Sequence, residues 1–177
     1  MIQVHDGLFD KYWVDTLSHI LLQEESWHVK NIANRYSFPS GTHGSHRLIG
    51  MRIHTKEFAH PNKDLYEGCI EAFNSFNKNI GSNCELDNIH INLQFTGMDG
   101  TFHTDGGDNQ FSFILMLLND VLDENIGGEF IHKPSGQSIS FKHGRLIQIT
   151  ASDEHKALAF TKPHIPRITV KFVGTIL

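Results

Sequence analysis

Cysteine is scarce in this chain: 177 residues hold two, Cys69 and Cys84. Neither stands in a Cys-x-x-Cys spacing, so a disulfide framework, a zinc-ribbon site and a dithiol redox motif are all excluded, and both thiols read as reduced core or near-core groups. No apolar run reaches the length of a membrane-spanning helix, which leaves no membrane partner to expect. The segment Met1 to Asp10 carries acids where a signal peptide carries a basic region and a long apolar stretch, and the expected location is cytoplasmic. Positive charge is also in short supply. Fifteen Lys and Arg against twenty Asp and Glu give a net charge of -5, a poor balance for gripping phosphates, so nucleic acid is not an expected partner. Internal repeats and low-complexity tracts are absent, which removes the solenoid architectures.

What is present suits one folded domain spanning 1-177, with a hydrophobic fraction of 39% and 10% aromatic residues. Phe9, Trp13, Leu17, Ile20 and Leu21 fall at helical spacing between Gly7 and Glu25, with Asp6 placed to cap the start. Trp27 to Tyr36 reads as extended, followed by a turn-rich loop over Ser37 to Thr42. Leu48 to His54 alternates weakly and suits either an outer strand or a loop. A second amphipathic helix runs from Asn62 to Lys78 through Leu65, Cys69, Ala72, Phe73 and Phe76, ending near Gly81. Beyond it the texture changes to short runs rich in Ile, Phe, Leu, Val and Thr: Ile89-Phe95, Thr101-Asp105, Phe111-Leu118, Glu129-His132, Gln137-Phe141, Leu146-Thr150, His155-Phe160 and Arg167-Val173. Strands that follow two helices without alternating with them predict a mainly β fold with flanking helices, a double-stranded β-helix (jelly roll, cupin-like). On this reading 1-84 is a helical and extended support region and 85-177 is the core of the roll.

Thirteen histidines stand out, and three residues among the polar set suggest chemistry. In an extended segment, residues i and i+2 share a face, so the imidazole of His103 and the carboxylate of Asp105 converge. Taken alone, His103-Thr104-Asp105 beside Gly106-Gly107 reads as a polar surface turn. His155, fifty residues downstream of Asp105, becomes its neighbour if the fold is a roll, whose second and seventh strands lie side by side. Two His and one carboxylate on one face of a metal leave its other positions open, the arrangement of non-haem Fe(II) oxygenases. Asp108 and Glu154 are rival carboxylates, but neither has the i, i+2 relation to a His; Glu154 adjoins His155 and faces the other way.

The series His103-x-Asp105, His155, Arg167-x-Thr169 resembles the 2-oxoglutarate/Fe(II)-dependent dioxygenase superfamily, in particular its small prolyl 4-hydroxylase-like members, over about Asn92 to Phe172. The punctuation agrees: Gln94-Phe95-Thr96-Gly97-Met98-Asp99-Gly100 leads into the pair, Gly127-Gly128-Glu129-Phe130 opens a strand, and His143-Gly144-Arg145-Leu146 precedes the strand before the distal His. The resemblance implies Fe(II) on His103, Asp105 and His155, with 2-oxoglutarate as cosubstrate and O2 as oxidant. It also implies Arg167 on the far carboxylate of 2-oxoglutarate, a role that suits a guanidinium because it pairs carboxylates bidentately and stays charged, with Thr169 adding a hydroxyl. The implied reaction forms succinate and CO2 while hydroxylating a peptide, an amino acid or another small molecule.

Many prolyl 4-hydroxylase-like members carry a keto-acid-binding Tyr on the strand before the metal pair. Here the neighbouring positions are Gln94 and Phe95, so Gln94, or Asn92 on the same face, stands as the replacement. Two rivals remain open. One is an oxidative nucleic-acid dealkylase on the same scaffold, which by resemblance carries a further Arg six residues past the first; this chain has Val173 there. The other is a non-catalytic cupin-like metal-binding or structural protein. His43, His46, Arg47, Arg52 and His54 form a local cluster that reads either as a solvated polar face or as a substrate rim.

Overall fold

The computed structural model describes residues 1–31, 48–118 and 126–177, the side chains of 29–31 excepted. His43, His46 and Arg47 lie outside the described residues. The chain opens with strand β1 (Ile2–His5), helix α1 (Lys11–Gln23) and strand β2 (His28–Asn31). Then come β3 (Leu48–Thr55), β4 (Phe58–Ala59) and helix α2 (Lys63–Asn79). The remainder is β: β5 (Cys84–Gln94), β6 (Gln110–Leu117), β7 (Phe130–His132), β8 (Gln137–Ile139), β9 (Leu146–Thr150), β10 (His155–Ala157) and β11 (Arg167–Ile176). Among the described residues no helix is long and apolar enough to cross a membrane.

Among the described residues every strand pairing is antiparallel. The large sheet runs β1-β9-β6-β11-β5-β3-β2 with β4 on the edge of β3, and a small sheet runs β10-β7-β8. This is the expected mainly β roll with two flanking helices. The large sheet is wider than the sequence suggests, because β1, which the periodicity does not reveal, pairs with β9 from Ile2↔Ile149 to His5↔Leu146. Leu48 to His54, open between strand and loop in the sequence, is a strand paired to β5.

Alternation gives the large sheet two different faces. Ile168, Val170 and Phe172 of β11, Ile89 and Ile91 of β5, and Phe113 and Leu115 of β6 point to the helices and form the main core with Leu17 and Leu21 of α1 and Leu65, Phe73 and Phe76 of α2. Phe76 packs on Phe113 and Phe172 with ring centroids 4.9 and 5.2 Å apart. The intervening residues of the same strands, among them Arg167, Thr169 and Lys171, face the other way into the roll. Helix α2 starts where Asn62 accepts a hydrogen bond from the Leu65 amide at 3.2 Å, and the chain leaves it through Gly81 at φ +66°. Helix α1 corrects the sequence reading: Asp10, not Asp6, caps it, accepting from the Trp13 amide. Asp6 instead accepts from Arg145 Nε and Nη2, both at 2.9 Å, and from Lys142 at 2.9 Å, tying the segment before α1 to the segment before β9.

The expected strand Thr101-Asp105 is a correction of a second kind. It is an extended segment whose pairing with β10 is a single bridge, His103↔His155, with reciprocal N–H···O bonds of 3.0 Å. On either side of the bridge the contacts leave the ladder register: Gly100 donates to the Ala157 carbonyl at 2.8 Å, and Asp105 and Gly106 both donate to Ala151.

Candidate metal centre

The bridge sets the two imidazoles side by side, and a turn at Asp105 brings in the carboxylate. The Asp105 and Gly106 amides both donate to the Ala151 carbonyl, at 2.8 and 3.0 Å, which fixes this turn against the segment leading to β10. His155 Nε2 lies 3.3 Å from Asp105 Oδ2, and His103 Nε2 lies 3.7 Å from Asp105 Oδ1. The potential ligand atoms of His103, Asp105 and His155 all fall within 4.8 Å of one another, the one such group found among the described residues. Asp108, the first rival carboxylate, accepts from Ser152, and Glu154, the second, pairs with Lys133 at 2.6 Å. Neither joins the cluster.

The outer contacts orient all three side chains. His103 Nδ1 is 2.9 Å from the Thr101 carbonyl, and His155 Nδ1 is 2.9 Å from the Asp153 carbonyl. A carbonyl only accepts, so each Nδ1 carries the proton and each Nε2 presents its lone pair toward Asp105. Ser112 Oγ donates to Asp105 Oδ2 at 2.9 Å, and Lys171 Nζ sits 2.5 Å from Oδ1. Burial alone would raise the Asp105 carboxyl, but the Lys171 ammonium, together with either imidazole whenever it is protonated, holds it well below the ordinary carboxylate value. Burial pushes His103 down to about 4, with the neighbouring His155 acting in the same direction. Both groups are therefore in the ligand-competent state at neutral pH, an anionic oxygen beside neutral imidazole nitrogen.

A pocket opens next to the cluster, lined by His103, His155, Asn92, Arg167, Thr169 and Lys171 with their apolar neighbours. Arg167 is 1% exposed. Its Nε donates to the Gly128 carbonyl and its Nη1 to Gln94 Oε1, both at 3.0 Å, while Nη2 is buried with no hydrogen-bond partner among the described residues. Burial brings its pKa down to about 10, against the opposing pull of Glu129, so it stays charged. Gly128 can approach because it lacks a side chain: at φ +83° a Cβ would stand 2.4 Å from the Phe160 ring. Gln94, expected as a contact to the keto acid, has its amide committed elsewhere. Its Nε2 donates to the Met98 and Ala157 carbonyls at 2.8 and 3.3 Å, and its oxygen holds Arg167. Asn92 and Thr169 are direct partners in the β5–β11 register and share the pocket face. Arg52 and His54 of the sequence cluster are not members of the metal cluster: Arg52 pairs with His90, the β5 neighbour of Lys171, and His54 Nδ1 is 3.3 Å from the Tyr66 hydroxyl.

Two residues of this centre escape the sequence reading. Ser112 has no signal there, since a Ser in an apolar strand is unremarkable. Lys171 has one: it continues the alternation Arg167, Thr169, Lys171 on a single strand face.

The backbone resembles solved structures over nearly its whole length. A viral collagen prolyl hydroxylase from Paramecium Bursaria Chlorella virus-1 matches with a TM-score of 0.64 at 13% identity, over 99% of this chain and 96% of that one. The fold is that of the 2-oxoglutarate- and Fe(II)-dependent oxygenases. A Pseudomonas putida prolyl-4-hydroxylase (TM-score 0.67, 14% identity, 99% of this chain and 92% of that one) shares this double-stranded β-helix. So does a 2OG-Fe(II) oxygenase family oxidoreductase from Burkholderia pseudomallei (TM-score 0.70, 15% identity, 98% and 84%). No protein-family model and no curated protein sequence matches the chain.

Proposed function

We propose that this protein is a non-haem Fe(II)- and 2-oxoglutarate-dependent dioxygenase that hydroxylates a small-molecule or peptide substrate. The observation that carries the reading is Arg167, a buried guanidinium in the same pocket as the His-Asp-His cluster, whose direct partners are neutral and whose Nη2 has none among the described residues. Burying a cation without a hydrogen-bonded anion costs several kcal/mol, and the Phe141 ring face and the more distant charge of Glu129 offset that cost only in part. A dicarboxylate with one end at the cluster and the other on Arg167 supplies the missing anion. A buried cation short of an anion favours a ligand-binding roll over a purely structural one.

In this reading His103, Asp105 and His155 would hold Fe(II), and a set of three protein ligands suits a metal that must also take up a cosubstrate. Bound there, the metal supplies the oxidative chemistry by which 2-oxoglutarate, O2 and a substrate C–H become succinate, CO2 and C–OH. The chain's own task is placement. Arg167 binds the far carboxylate, and Gln94, accepting from Arg167 Nη1, orients the guanidinium. Thr169 and Asn92 present hydrogen-bonding groups along the cosubstrate's path, and the apolar lining of Ile114 and Phe130 keeps the site dry.

Anaerobic titration tests this. Fe(II) followed by 2-oxoglutarate should produce a visible charge-transfer band that needs both components and is lost in His155→Ala, and in air the wild type should release succinate. A wild type with neither band nor succinate overturns the proposal.

A further inference from the structure

The pocket face of the large sheet is arranged in rows. Gln94 pairs with Arg167, Asn92 with Thr169, and His90 with Lys171; β3 extends two of these rows with Gly50 beside Asn92 and Arg52 beside His90. Arg167 and Lys171 stand two rows apart, roughly 13 Å along a regular strand, and the β11 bulge falls beyond both, between Val173 and Gly174. Asp105 is held at the Lys171 row, because Lys171 Nζ is 2.5 Å from its Oδ1. A keto acid reaching from the metal to Arg167 therefore occupies the Thr169 row and runs away from Lys171. The Lys171 side chain, 20% exposed, is left facing the part of the pocket that the cosubstrate does not fill.

Charge points the same way. In the metal-free protein Lys171 neutralises Asp105. With a divalent cation and 2-oxoglutarate bound, Asp105 and one carboxylate of the keto acid would offset the metal, and the other carboxylate would offset Arg167, on which the more distant Glu129 also pulls. Lys171 then becomes a surplus cation beside the reacting centre, with the exposed Arg52 two strands away in its row. His90 between them adds no charge at neutral pH: burial brings it down to about 4, and Lys171 and Arg52 press in the same direction.

We infer that Lys171 is a substrate-binding residue, and that the primary substrate is a small organic acid whose carboxylate, sulfonate or phosphate group pairs with its ammonium next to the metal. This rests on the oxygenase reading above. It narrows the substrate class to compounds whose reacting C–H lies a short spacer from an anionic group.

Propionate, ethanesulfonate and ethyl phosphate, with propionamide as the uncharged control, should be titrated anaerobically onto the Fe(II)- and 2-oxoglutarate-loaded protein, following the perturbation of its charge-transfer band. At least one anion should bind while propionamide does not, and the binding anion names the group. Lys171→Met should weaken that binding by roughly tenfold or more, the usual range for losing a charged hydrogen-bond partner. Lys171→Arg should retain most of it. By calorimetry, the metal-free wild type should bind the same anion less tightly, because Asp105 occupies the ammonium. Equal affinity for propionamide, no anion binding to a wild type that forms the band, or undiminished affinity in Lys171→Met overturns the inference alone. So does a loss of 2-oxoglutarate affinity in Lys171→Met with the anion untouched, which assigns Lys171 to the cosubstrate. Loss of the band in Lys171→Met but not in Lys171→Arg assigns it to Asp105 and overturns the inference too. Absence of the band in the wild type overturns the oxygenase reading and this inference with it.

Discussion

Arg167 concentrates the tension in this structure at a single side chain. Its guanidinium is desolvated, Gln94 and Gly128 are its hydrogen-bond partners among the described residues, and the more distant charge of Glu129 does not make up for the burial. Such a residue costs the metal-free fold stability and repays it when a carboxylate arrives, so 2-oxoglutarate should stabilise the loaded protein in proportion to its occupancy. We expect 2-oxoglutarate to raise the melting temperature of the Mn(II)-loaded wild type and to leave Arg167→Met nearly unmoved. The variant's affinity for the keto acid should fall by roughly ten- to hundredfold, the span of a charged hydrogen bond. Differential scanning fluorimetry across a keto-acid titration measures both. An equal thermal shift in the variant would place the keto acid elsewhere.

At the scale of elements, the two aspartates before α1 carry separable contributions. Asp10 caps the helix through the Trp13 amide, so Asp10→Ala should cost about 1 kcal/mol. Asp6 ties the chain to Arg145 and Lys142 through exposed or half-exposed ion pairs, for which about 1 kcal/mol or less is expected after screening. The two differ in salt and pH dependence. The Arg145 guanidinium holds the Asp6 carboxyl below its ordinary value. A lowered carboxyl pKa stabilises the fold above the unfolded-state pKa of about 4, and that contribution disappears as pH falls through the folded value. Asp6→Asn should therefore lower the unfolding midpoint at pH 7 and converge on the wild type as the pH drops below about 4, and added salt should narrow the gap at pH 7. Urea unfolding at several pH values checks this.

The same aspartates mark where local pattern stops being informative. Both precede an apolar periodic run and either suits a cap, and only the position of Arg145, more than a hundred residues away, separates them. The helices were legible because Leu65, Cys69, Phe73 and Phe76 repeat with the helical period. The site face was legible in part, because Arg167 and Thr169 interrupt an apolar strand at every second residue. Strand β1 was not, since Ile2 to His5 is too short to show alternation and acquires its partner, β9, from the far end of the chain. Lys171 was missed because a Lys on a strand is by default a solvent residue, and Asp105, which turns it inward, arrives from a loop.

Across the whole molecule, the metal cluster lies between two sheets of unequal strength. The large sheet is welded to α1 and α2 by a core of buried aliphatic and aromatic side chains, whereas β7, β8 and β10 are three residues each and rest on two small clusters around Phe130 and Phe160. Short ladders with little apolar burial open at low free energy. His155 belongs to the small sheet, while Asp105 is held by Ser112 of β6 and Lys171 of β11 in the large one. An ion bound to both is a cross-link between the sheets, and its binding energy is spent against the openings that separate them. Hydrogen exchange should therefore slow on Mn(II) addition at 130–132, 137–139 and 155–157, and return to its original rate with a chelator. Amides of α2 and the centre of β5, whose side chains build the main core, should slow by no more than the global stabilisation allows. Uniform protection across both sheets would mean that the small sheet already opens only with the whole fold, and the metal would then act as a ligand of one body rather than as a clasp between two.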